Sequence, residues 1–163
     1  MQLCVDTEHL FFLWASFFDP HPPYVVPEPW ASLYDPASLT LSHYTEGEFD
    51  QMPPHFARTR EANPDWSGYQ EPGGSELHGF HSHRHTEEEM RRSLAAYYGM
   101  TSLIDNEVGR ILDYLDQTGL SENTLVVYTT DHGHLIGQHG LIAKGAFHYE
   151  DLLRVPMLVR QPG

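Results

Sequence analysis

The strongest regularity along the chain lies between Met90 and Leu115. Met90, Leu94, Tyr97, Thr101, Ile104, Val108, Ile111 and Leu115 recur at alternating steps of four and three, the spacing that lines up one face of an α-helix. Thr86-Glu87-Glu88-Glu89 just ahead has the form of a capping box, with Thr86 as N-cap and Glu89 reaching back. Gly119 is placed to close the C-terminus. A long helix over 86–118 is expected. Heptad-like spacing also suits a coiled coil, but no polar pattern flanks the seam, which favours packing on a sheet.

Other apolar runs have strand character. Leu10–Phe18, LFFLWASFF, is continuous and aromatic, and Asp19-Pro20-His21-Pro22-Pro23 cuts it off. That suits a strand buried on both faces of a parallel sheet. Leu125–Thr130 is a second buried strand, of β-branched type. Phe147–Arg154 reads as a short helix and Val155–Val159 as a third strand. Tyr24–Gly79 is Pro-rich, polar and weakly periodic, a long surface excursion rather than a second core. This order of elements is that of an α/β fold with a mostly parallel sheet flanked by helices.

Composition narrows the function classes. The 163 residues suit one domain, 40% hydrophobic and 20% charged. Nine Lys and Arg against 23 Asp and Glu give a formal charge of -14, which repels nucleic acid and anionic membranes. An anionic substrate would need positive charge gathered locally. No run approaches the ~20 apolar residues of a membrane span. The first residues carry acids rather than a basic region, unlike a signal peptide, so localisation stays open. Cys4 is the only cysteine, so no internal disulfide forms. It is a nucleophile or, more plainly, an ordinary terminal residue.

The twelve histidines bring the chemistry. Asp131 and His132 stand where the strand Leu125–Thr130 should end, and His21 just past Leu10–Phe18. Ligands of open α/β sheets bind beyond such strand ends. A carboxylate beside an imidazole binds a divalent cation, although two ligands are too few alone, and Asp-His-Gly also makes an ordinary turn. His78, His81, His83 and His85 suit either a second metal site or a solvated loop, the plainer reading.

Longer stretches carry a resemblance. SENTLVVYTTDHGHLIGQHGLIAKGAFHYEDLLRVPMLVRQPG resembles the sulfatase family of the alkaline-phosphatase superfamily. The matching features are the Asp131-His132 pair, the turn Gly137-Gln138-His139-Gly140, Lys144 and Leu153-Arg154-Val155-Pro156. FFLWASFFDPHPPY resembles the family's histidine loop, and AAYYGMTSLIDNEVGRILDYL its long helix. The resemblance covers 10–23 and 93–163. It implies a partial sulfatase catalytic domain over 1–163: a variable insert at 24–85, the helix at 86–118 and a metal-strand segment at 125–163. The expected fold is a partial alkaline-phosphatase-like sandwich, incomplete on its N-terminal side.

What the resemblance implies is hydrolysis of a small sulfated substrate, a sugar or aryl sulfate ester. Asp131 and His132 would ligate a metal, calcium in most of the family, with manganese or iron as alternatives. Lys144 and His21 would stabilise sulfate charge or protonate the leaving oxygen. His139 either hydrogen-bonds within the site or shapes its turn, and His134 has no assigned role. The family's nucleophile is formylglycine, made from Cys/Ser-x-Pro-x-Arg. That motif is missing, as is the family's N-terminal Asp pair. The chain is therefore expected to be inactive alone. Hydrolysis of phosphate or phosphonate monoesters in a similar site is the near alternative, and a non-catalytic binding protein the distant one.

Overall fold

The computed structural model describes residues 10–69 and 79–162. A short helix α1, Pro54–Arg58, precedes the long helix α2, Glu87–Gln117. The capping box forms. The Thr86 N–H donates to Glu89 Oε2 at 2.8 Å, and the Glu89 N–H to Thr86 Oγ1 at 3.2 Å. The Thr86 backbone N–H, then its hydroxyl, hold the Glu89 carboxyl below its usual value. A carboxylate depressed in this way stabilises the fold above its ordinary pKa, and that contribution is lost as pH falls through the lower folded value. Thr86→Ala is expected to cost about 1 kcal/mol in urea melts at neutral pH. The difference from the parent should shrink in strong acid; an equal difference at both pH values would show that Glu89 contributes nothing. At the other end Gly119 takes a φ of 72°, left-handed as its cap position requires.

The α2 face from Met90 to Ile104 is buried, and burial thins beyond it, with Leu115 the one later residue enclosed. At Gly99 the helix meets the turn Trp30–Ser32 backbone to backbone, since a Cβ there would stand 2.5 Å from the Trp30 carbonyl oxygen.

The main core corrects the expected surface excursion. Phe49, Phe56 and Trp66, all within Tyr24–Gly79, are buried with Phe80, Leu135, Leu141, Phe147 and Leu152. The rings of Trp66 and Phe80 stack at 4.2 Å. These aromatics follow no period of two or 3.6, so no strand or helix signal marked them. Phe49 and Trp66 enter the core from irregular backbone, and Phe56 from the short helix α1.

The described strands are β1 Val126–Thr129, β2 Leu135–Ile136, β3 Ile142–Ala143 and β4 Met157–Arg160. Helix α3 is shorter than expected, Glu150–Leu153. Among the described residues both ladders are antiparallel, not parallel: β1 with β4 from Val126↔Arg160 to Thr129↔Met157, and β2 with β3. Parallel pairing needs a crossover that carries the chain back to its starting end. Here residues 130–156 leave and return at the same end of the ladder, so β4 runs back along β1.

Two expected burials are also corrected. Leu10–Phe18 forms no helix and has no ladder partner among the described residues, with Leu10 98% and Trp14 77% exposed. Both faces of the β1–β4 ladder are open as well, since the adjacent residues Leu158 and Val159 face opposite sides and are both exposed. Sequence gives these strands their apolar character, but burial needs neighbours that the described residues do not supply. Apolar surface left open on this scale is a mark of interaction surfaces. No helix among the described residues is long and apolar enough to cross a membrane.

Candidate active site

The loop leaving β1 carries the chemistry. Asp131 Oδ1 accepts from the His132 N–H at 2.9 Å and the Thr130 hydroxyl at 3.3 Å. Burial pushes this carboxyl up, but the His132 imidazole, the backbone N–H groups of His132 and Asp131, and Thr130 together hold it below its usual value. Its side chain is 83% exposed, so it is open to a ligand.

His132 is fixed in one tautomer by geometry. Its Nδ1 lies 2.7 Å from the Gly133 carbonyl oxygen, which only accepts, so Nδ1 carries the proton and Nε2 keeps a lone pair. Lys144 Nζ donates to that Nε2 at 2.9 Å, and Asp131 Oδ2 lies 3.7 Å from it. Lys144 is the only lysine in the chain. Ala143 just before it takes a φ of 68°, a left-handed conformation that costs any residue with a Cβ. The backbone is strained at the point where it turns the lysine toward His132.

A cavity of about 180 Å³ opens beside this contact, lined by His132, Lys144, Gly145, His148, Leu152 and Leu153. In a chain of net charge -14 its lining holds two imidazoles and an ammonium and no carboxylate, a setting suited to an anion. His148 was not singled out by sequence. It is exposed and makes no hydrogen bond or ion pair among the described residues. Only its place on the cavity wall marks it, and no spacing in the chain signals that.

Asp131 and His132 suit part of a metal site. Their donor atoms, 3.7 Å apart, fall within the spacing of two ligands on one ion with bonds of about 2.0–2.6 Å. Among the described residues no third His, Cys, Asp or Glu joins them. His21 is not brought to this group: its Nδ1–H donates to the Pro22 carbonyl at 2.7 Å and its ring packs on Phe18 at 4.8 Å.

Four other histidines acquire partners that sequence did not reveal. His139 Nδ1 contacts Glu48 at 2.8 Å, and its ring stacks on Tyr149 at 3.6 Å, tying the Gly137–Gly140 turn to the segment around Glu48. His134 bonds the Tyr24 hydroxyl. The rings of His81 and His83 lie 6.0 Å apart, and burial, then Arg84 and His81, lowers the His83 pKa. Ser82 between them is buried, taking the Ile142 N–H at 3.0 Å, so this stretch is anchored to β3 rather than freely solvated. His78 and Cys4 lie outside the described residues.

Comparisons with known proteins give the family and the fold. The sequence profile of the sulfatase family matches residues 5–163. The chain belongs to the sulfatase family. It is 32% identical over 165 residues to the multifunctional alkaline phosphatase superfamily protein PehA of Trinickia caryophylli, covering 94% of this chain and 29% of that protein. It is 30% identical over 151 residues to the choline-sulfatase of Rhizobium meliloti, covering 93% of this chain and 26% of the relative. Among solved structures, the phosphonate monoester hydrolase SpPMH of Silicibacter pomeroyi superposes with a TM-score of 0.67 at 32% identity, over 88% of this chain and 27% of that one. The fold is thus α/β, a partial alkaline-phosphatase-like arrangement. This sulfatase-family chain spans less than a third of the length of these relatives.

Proposed function

We propose that the chain contributes the metal-and-lysine side of the active site of a sulfuric ester hydrolase acting on a small sugar or aryl sulfate. The observation that carries this reading is the meeting of three groups: Lys144 Nζ lies 2.9 Å from His132 Nε2, and Asp131 Oδ2 lies 3.7 Å from the same nitrogen. In this reading Asp131 and His132 hold a divalent cation, calcium by family resemblance, with manganese or iron as the alternatives that an imidazole ligand favours. When bound, such an ion supplies positive charge at a sulfate oxygen and orients the nucleophile. Lys144 offers a donor where charge develops on the ester oxygens. Lys144 returns a proton to the departing oxygen, a role that His21, held against Pro22 and Phe18, does not share in this arrangement. Neither Cys-x-Pro-x-Arg nor Ser-x-Pro-x-Arg occurs in the 163 residues. We therefore take this chain to be inactive alone and to act within a larger catalytic unit that supplies formylglycine and covers the open sheet faces.

A second reading, hydrolysis of phosphate or phosphonate monoesters, is favoured by the likeness to the phosphonate monoester hydrolase SpPMH. Turnover of 4-nitrophenyl sulfate and of an aryl phosphonate by the catalytic unit containing this chain separates the two. The first reading expects kcat/KM to favour the sulfate by about tenfold or more. A preference for the phosphonate transfers the assignment to the second reading, and no turnover of either with calcium, manganese or iron removes both.

A further inference from the structure

The bond between the Tyr24 hydroxyl and His134 Nε2 has no part in the chemistry above, yet it joins segments 110 residues apart. The His134 ring is stacked on Tyr97 of α2, with centroids 5.7 Å apart and planes within 12°. Tyr24 meets that ring edge-on at 5.7 Å and meets Tyr97 edge-on at 6.3 Å. Two rings thus hold the His134 side chain of the β1–β2 loop: Tyr24 from the stretch following His21 and Tyr97 from the long helix. Burial, then Tyr97, pushes the Tyr24 hydroxyl up to about 12, so it stays protonated and able to donate.

What this clamp reaches is a peptide plane. The Gly133 carbonyl belongs to the peptide bond leading into His134, a rigid planar unit. That same carbonyl accepts the His132 Nδ1–H at 2.7 Å. On its other side the Gly133 N–H donates to the Leu152 carbonyl at 2.9 Å. With Gly133 anchored behind and His134 anchored ahead, the carbonyl keeps its direction toward Nδ1. A carbonyl turned away would free His132 to carry its proton on Nε2 instead, aimed at Lys144 and Asp131.

We propose that Tyr24 and His134 are positioning residues which, through the Gly133–His134 peptide, hold His132 in the tautomer that leaves Nε2 bare. The functional meaning rests on the hydrolase reading, in which that lone pair takes the cation. Partners that orient a ligating imidazole from behind govern its tautomer in this way. Neither residue touches the cavity, so they act only through His132.

The test is the imidazole tautomer of His132 in the catalytic unit containing this chain, read from long-range proton–nitrogen NMR correlations without metal or substrate. The parent is expected to show the Nδ1-protonated form alone. Tyr24→Phe keeps the ring and removes the hydroxyl; His134→Phe keeps a ring and removes the acceptor. Each should raise the Nε2-protonated form to a comparable share, and the double variant should go no further, because the pair acts as one unit. His134→Gln, which restores an acceptor for Tyr24, should return the parental tautomer. An unchanged tautomer in Tyr24→Phe and His134→Phe would mean that the Lys144 contact alone sets it, and the proposal falls. Should Tyr24→Phe fail to fold, seen as lost dispersion of the Leu135 and Leu141 methyl signals, His134→Phe against His134→Gln decides by the same criterion. Because the measurement involves no turnover, it can fail while the hydrolase reading stands, and the reverse.

Discussion

Replacing Gly133 with alanine is expected to lower stability by about 3 kcal/mol or more, read as a lower urea midpoint. A Cβ at this position would overlap the Asp151 carbonyl oxygen and stand 2.8 Å from its carbonyl carbon and 3.1 Å from the Leu152 Cα. All three atoms are backbone, so no side chain can rotate aside to make room. Either α3 moves or the loop bearing Asp131 and His132 moves. The first displaces Leu152 from the core it shares with Phe147 and Leu135. The second breaks the Gly133 N–H bond to Leu152 and shifts His132 from Lys144. The φ of Gly133 is not positive, so crowding rather than backbone strain is at issue. A variant with the parental midpoint and an unshifted His132 signal would show that the two backbones part without cost. That would remove the reason for glycine in the Asp-His-Gly turn.

The elements that were legible in the sequence are those decided by near neighbours. The Thr86–Glu89 box and the four-three spacing after it are contacts three or four residues apart, and they produced α2 almost to the residue. The existence of β1 and β4 was likewise legible from their β-branched and apolar runs. Their direction and burial were not, because those depend on what pairs with and covers a strand. Leu10–Phe18 looks like a core strand and lies exposed. Phe49, Phe56 and Trp66 look like loop residues and supply three of the eight buried members of the main core. At the candidate site the motif named Asp131, His132 and Lys144, twelve residues apart at most in the contact that joins them. Groups joined across longer stretches left no trace: Tyr24 reaches His134 and Glu48 reaches His139 over 110 and 91 residues. A side chain whose partner is set by the fold carries no local signal of it.

Lys144→Ala is expected to lower kcat of the catalytic unit containing this chain by about 10²–10³-fold, the usual loss when one charge-stabilising donor is removed. No other lysine occurs in these 163 residues to replace it. The remaining basic groups on the cavity wall are His132, whose Nδ1 proton is committed to Gly133, and the exposed His148. Removing the ammonium also leaves His132 Nε2 with only the Asp131 carboxylate nearby at 3.7 Å. The effect should fall on kcat more than on KM, because the donor is needed most where negative charge develops during bond cleavage. Lys144→Arg should not restore the rate: a planar guanidinium is broader than an ammonium and presents its donors in a fixed fork. A rise in KM with kcat unchanged would make Lys144 a ground-state anchor for the anion. Unchanged kcat/KM would remove it from the reaction, leaving its contact with His132 as a structural tie.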